Sequence, residues 1–190
     1  MIRVSRKAGT SALSLFCLIA LLTLGVSTVF GAPVATVVEP AAMNGWGFGL
    51  DHVFTSVEGN FAIGPATAPF GQGSAHLAVT DANGDGRVVM GSAQFQGTLL
   101  SQIDALSFYT YVSAASGNFV SPTFQMNVDY DVTDGNTAWQ GRLVYEPYFS
   151  GTVTRGAWQQ WFPLDPAGLW WGSATPDDTC EQNAPCTWAQ

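Results

Sequence analysis

Beyond Lys7 the chain contains no lysine, and its only later cations are Arg87, Arg142 and Arg155. Histidine is limited to His52 and His76, and cysteine to Cys17, Cys180 and Cys186. No stretch after residue 31 sustains a helical apolar period for three turns. Each scarcity excludes a class of function. With 14 acids against 6 bases, net charge −8, the chain repels phosphate backbones and anionic lipid headgroups, so nucleic acid and membrane surfaces are poor partners. Two histidines far apart in sequence, without neighbouring ligands, suggest neither a zinc site nor a base for a nucleophile. Without helices, there is nothing for a phosphate-binding glycine loop to open.

What is present begins with a leader pattern. Arg3, Arg6 and Lys7 precede residues 8–31, which carry no charge and include Leu13, Leu15, Phe16, Leu18, Ile19, Leu21, Leu22 and Leu24. This order of basic, apolar and small residues is that of a secretory signal peptide. Val29 and Gly31 supply small residues at −3 and −1, whereas a cut after Ala32 would put Phe30 at −3 and Pro33 at +1. The expected divisions are a signal peptide over 1–31, a flexible segment over 32–43 and one β domain over 44–190. An uncleaved anchor is the alternative, because the uncharged run exceeds the roughly 20 residues that span a bilayer, and it is the only membrane contact the sequence suggests. Lipidation of Cys17 is disfavoured by the bulky Leu15 and Phe16 before it. After cleavage three arginines face 14 acids, a net charge near −11, and Cys180 and Cys186 remain as a pair suited to a small disulfide loop outside the cell. Secretion, or display at the cell surface, is the expected location.

From Trp46 onward the chain reads as short alternating apolar runs cut by Gly, Pro, Asn and Asp. Such spacing predicts an all-β fold, an antiparallel β-sandwich with jelly-roll-like connections and about nine strands. The clearest strand covers Thr123 to Val132, where Phe124, Met126, Val128, Tyr130 and Val132 alternate with polar residues. Asp134-Gly135-Asn136 then turns the chain into a second strand from Trp139 to Tyr148. Other strands are expected over Asp104–Val112, Gly73–Thr80 with Leu77 and Val79 inward, Arg87–Gly91, Ala93–Leu99, Ala157–Pro163 and Leu169–Gly172.

Several segments carry a resemblance: Gly64-Pro65, Phe70-Gly71-Gln72-Gly73-Ser74-Ala75-His76-Leu77, Leu106-Ser107-Phe108-Tyr109-Thr110-Tyr111, Leu143-Val144-Tyr145-Glu146-Pro147-Tyr148 and Trp158-Gln159-Gln160-Trp161. From Trp46 to Trp188 the chain resembles a group of uncharacterised secreted bacterial β-sandwich domains, similar to the jelly rolls of carbohydrate-binding modules. The resemblance implies no assigned activity. Members of that group tend to continue beyond the Cys-x5-Cys segment into a helix and a further strand, which makes a C-terminal truncation at Gln190 the expectation.

Three constellations could carry chemistry. Asp81-x-Asn83-x-Asp85-Gly86 matches the opening of a calcium loop, but Ser92 stands where a bidentate Glu is needed, so the competing reading is a hairpin turn. No other cofactor is indicated. Asp129, Asp131 and Asp134 invite either a cation or an ion pair with Arg142 on a solvated face. The third is aromatic. Trp170 and Trp171 on one strand must face opposite ways, so one points outward, and Tyr109, Tyr111, Gln125, Asn127, Asp129 and Arg142 would line a polar face if their strands are neighbours. An indole beside planar polar groups can stack on a pyranose and bond its hydroxyls. The expected function is therefore non-catalytic binding of a glycan or cell-envelope polymer. A structural or adhesive surface domain is the alternative. A lyase or hydrolase comes third, with Glu146 and Asp129 the only carboxylate pair to nominate.

Overall fold

The computed structural model describes residues 3–6, 36–50, 57–80, 86–116, 121–136, 138–174 and 179–190. They are almost entirely strand and turn, with antiparallel sheets. The strands are β1 (Arg3–Arg6), β2 (Trp46–Leu50), β3 (Val57–Ile63), β4 (Gly73–Val79), β5 (Val88–Ser92), β6 (Ile103–Tyr111), β7 (Phe124–Val128), β8 (Gly141–Tyr145), β9 (Trp158–Trp161), β10 (Leu169–Ser173) and β11 (Cys186–Thr187). Helix is confined, among the described residues, to a 3-10 turn at Leu100–Gln102 and to α1 at Pro147–Ser150. No described helix is long and apolar enough to cross a membrane.

The chain divides into two compact units, one of Met1–Lys7, Ala62–Ser74 and Thr98–Gln190, the other of Ala8–Phe61 and Ala75–Gly97. In the second, β2 and β5 pair antiparallel from Trp46↔Ser92 to Leu50↔Val88. Phe48 meets Phe61 edge-on at 5.1 Å and Trp46 meets Phe95 at 6.4 Å, so aromatic contacts hold this small unit. The strands β3 and β4 pair with each other, and the division between the units passes through both.

The first unit holds two sheets, ordered β1-β6-β9 and β11-β10-β8-β7. Alternation on β6 sends Leu106, Phe108 and Thr110 inward and Ser107, Tyr109 and Tyr111 to the second face. The inward residues meet Tyr145, Trp161 and Trp170 in one core cluster, with Phe124, Met126 and Leu143 packed against it. Phe108 stands 6.0 Å from Tyr145 and 5.8 Å from Phe124, so these two sheets of the unit share an aromatic core. Its polar atoms are satisfied within the layer. Thr110 Oγ1 accepts from Trp161 Nε1 at 2.8 Å and from Ser121 Oγ at 2.9 Å, and Pro163 O accepts from Trp170 Nε1 at 2.9 Å. Cys180 and Cys186 form a disulfide, a bond that persists in oxidising compartments.

Several boundaries differ from expectation for local reasons. β7 ends at Val128 rather than Val132, because the carboxylates of Asp129 and Asp131 accept backbone N–H groups two residues on and curl the chain. Val132 is left 72% exposed. β8 stops at Tyr145, since Pro147 suits the first turn of a helix and starts α1. Gly141 is required where β8 begins, as a Cβ there would lie 2.5 Å from both the Ser173 carbonyl and the Tyr130 ring. Residues Ala93–Leu99 are turns, not a strand, and Val79 is exposed rather than inward. Arg3–Arg6, read from sequence as the basic head of the leader, pairs antiparallel with β6 from Arg3↔Ser107 to Arg6↔Ile103. The apolar part of that leader lies outside the described residues.

Thr110→Val keeps the shape of the side chain but strands two buried donors. It should lower unfolding free energy by about 2–3 kcal/mol in urea titrations. A loss below about 0.5 kcal/mol would show that the hydroxyl does not hold the layer together.

Candidate functional site

The β7-β8-β10 register decides which side chains meet. Gln125, Val144 and Trp171 form one cross-strand row, and Asn127, Arg142 and Ser173 form the next on the same face. The other face carries the rows Phe124–Tyr145–Trp170 and Met126–Leu143–Gly172, which belong to the core side. Arg142 spans its row and reaches into the neighbouring one: Nε donates to Asn127 Oδ1 at 2.9 Å and Nη1 to Gln125 Oε1 at 3.1 Å. Its guanidinium also lies 5.9 Å from the ring centre of Trp139, which is 59% exposed. One sheet face thus combines two amides, a guanidinium, a half-buried indole and an open one.

Of the residues singled out from sequence, Gln125, Asn127, Arg142 and Trp171 come together. Trp170 and Trp171 do face opposite ways, but Trp170 is the core member at 3% exposure, wedged 5.6 Å from Tyr145 and 5.2 Å from Trp188, and offers no surface. Tyr109 and Tyr111 lie on the other sheet, because β6 pairs with β1 and β9 and not with β7. Their face is occupied by neighbours: Tyr109 donates to Gln160 Oε1 at 2.7 Å and meets Phe70 at 5.6 Å, and Tyr111 packs edge-on against Trp158.

Asp129 falls past the end of β7, where its Oδ1 accepts Asp131 N–H at 3.0 Å. The remaining acids nearby are similarly engaged. Asp131 accepts from the backbone and hydroxyl of Thr133, which hold its carboxyl below the usual range, and Asp134 accepts from Asn136 N and Gln140 Nε2. These are turn-forming side chains. Among the described residues no three His, Cys, Asp or Glu side chains are placed to hold a metal ion. Asp81, Asn83 and Asp85 lie outside the described residues, as does His52; His76 is exposed on β4.

The nominated pair for glycoside hydrolysis is separated by the hairpin itself. Asp129 follows Val128, the partner of Gly141, whereas Glu146 follows Tyr145, the partner of Phe124. Six residue rises lie between their positions, about 20 Å. A glycosidase requires its carboxyls within about 5–9.5 Å of each other. Glu146 instead stands at the N-cap position of α1, without a side-chain capping bond, and accepts from Gln182 Nε2 at 3.3 Å. Its Oε2, like Trp171 Nε1, is buried with no hydrogen-bond partner among the described residues. Trp171 is paired with Val144, so its position is diagonal to that of Glu146 on the same side of the strands.

Trp139 and Gln182 complete this region and were missed from sequence. Trp139 precedes β8, and on the strand expected over Trp139–Tyr148 a spacing of three would have set it on the face opposite Arg142, so it carried no signal for this site; Gln182 arrives through the disulfide loop and carried none either. No family model, curated protein or solved structure matches the chain. The resemblance noted from sequence therefore finds its support in the all-β architecture alone.

Two outcomes follow from these placements. Trp171→Phe removes an unpaired buried donor and should leave stability unchanged or slightly raised, while Trp170→Phe breaks the Pro163 bond and opens space, costing about 1–3 kcal/mol. Chemical denaturation of the two variants separates them, and an equal loss in both would contradict the assignment of faces. Burial, with the Glu146 carboxylate adding to it, pushes the Tyr148 hydroxyl up to about 12, and burial raises Tyr130 and Tyr145 as well. A tyrosine whose folded value exceeds its unfolded value of about 10 keeps its proton longer in the native state. Its stabilising contribution is complete below pH 10 and is lost between about pH 10 and 12. The melting temperature should fall across that window, less steeply in Tyr148→Phe, and equal slopes would show that Tyr148 is not linked to folding.

Proposed function

We propose that this protein is a secreted, non-catalytic binding module that recognises a neutral glycan or cell-envelope polymer through the outer face of β7, β8 and β10. The observation that carries the reading is the convergence of Trp139, Arg142, Gln125 and Asn127 on one face, with Trp171 in the adjoining row. Flat aromatic surface stacks on the C–H face of a sugar ring, and planar amide and guanidinium groups bond its hydroxyls in fixed directions. A strongly acidic chain disfavours anionic polymers, which narrows the ligand to a neutral one. Export by the leader fits the Cys180–Cys186 disulfide, and calcium at Asp81, Asn83 and Asp85 would be structural.

The alternative is a structural or adhesive domain, favoured by one feature: Arg142 already satisfies Asn127 and Gln125 within the chain. Affinity electrophoresis of the purified protein through gels containing a panel of neutral polysaccharides separates the two. The binding reading expects retardation by at least one polymer, lost in Trp139→Ala and reduced at least tenfold in affinity by Arg142→Ala. Migration unaffected by every polymer would favour the structural reading.

A further inference from the structure

A second concave feature of the same unit lies beside β9, the edge strand of its sheet. It is a cavity of about 160 Å³ bounded by Tyr145, Ser150, Trp161, Phe162 and Asp165, with Ala167 and Gly168 closing one side. The cavity is open to solvent on one side, and its volume, close to the ~150 Å³ that holds one benzene in an enclosed site, gives room to seat one small ring against its wall.

The lining is both aromatic and polar. Trp161 is buried in the core while Phe162 stands 47% exposed, so the rim presents an open ring. Ser150 Oγ accepts Leu169 N–H at 3.0 Å and bonds the Tyr145 hydroxyl, which burial keeps protonated. The Asp165 carboxylate is exposed and makes no hydrogen bond to any described residue. Its position is nevertheless fixed. Asp165 N donates to Phe162 O at 3.0 Å and Gly168 N to Asp165 O at 2.7 Å, and at Gly168 a Cβ would strike the Pro163 carbonyl. The turn that carries the carboxylate is thus set by backbone bonds and by a residue that only glycine can be.

We propose that this cavity binds a single neutral sugar ring, separately from the β7-β8-β10 face. Asp165 would accept a pair of ring hydroxyls, Ser150 and Tyr145 would meet a further one, and Phe162 would cover the apolar face of the ring. An acidic sugar is excluded by Asp165 itself. The inference shares its ligand class with the proposed function but not its residues, so either can fail alone.

Titration of the 15N-labelled full chain with methyl glucoside, methyl galactoside and methyl mannoside tests it. At least one glycoside should produce saturable shifts at Gly168 N–H and the Trp161 indole, with Kd of the order of 1 mM. Phe162→Ala and Asp165→Ala, both at exposed positions, should weaken binding about tenfold or more with the remaining spectrum intact. Absence of saturable shifts with all three glycosides overturns the proposal. So does binding that survives Asp165→Ala, or that moves resonances of the β7-β8-β10 face instead.

Discussion

The aromatic layer shared by β6, β8, β9 and β10 is the constraint on which the larger unit depends. Phe108, Tyr145, Trp161 and Trp170 bring large apolar areas together, but two of them are indoles whose N–H groups must not be buried alone. Thr110 and the Pro163 carbonyl meet that requirement. Once Trp170 is fixed inward, the pleat compels Trp171, and with it Val144, Arg142, Gln125 and Asn127, to the opposite face. The proposed binding surface is a consequence of how the core is satisfied.

The same reasoning explains the uneven distribution of unpaired groups. Inside the layer the indoles have partners, whereas Trp171 Nε1 and Glu146 Oε2, across the sheet, do not. Buried polar atoms left in this state reduce stability. Two of the four such atoms among the described residues, Trp171 Nε1 and Glu146 Oε2, thus lie near the surface proposed to work, while Thr98 Oγ1 and the Tyr130 hydroxyl lie elsewhere.

Much of the fold was legible in the residues themselves. Unbroken alternation from Phe124 to Val128 and from Leu106 to Tyr111 marked both strands and their inward faces, and the Trp170-Trp171 pair announced a split between faces. What alternation does not encode is which strand lies beside which. Tyr109 and Tyr111 have the same period as Gln125 and Asn127, yet the long-range pairing of β6 with β9 puts them on a different sheet, under Phe70 and beside Trp158. Strand ends were misread where local chemistry outcompeted the ladder, through the carboxylates of Asp129 and Asp131 and the ring of Pro147. The Asp129–Glu146 pairing failed for a related reason: closeness in sequence across a hairpin says nothing until the register is known.

The central claim is that the aromatic core seals the indoles of Trp161 and Trp170, while Trp139, just before β8 and beside Arg142, stays open. Hydrogen exchange at indole N–H groups, followed by 15N NMR, addresses it directly. Trp161 and Trp170 should exchange slowly, at rates limited by opening of the core, while Trp139 exchanges at close to the rate of a free indole. Rapid exchange at Trp170, or protection of Trp139 equal to that of Trp170, would contradict the account.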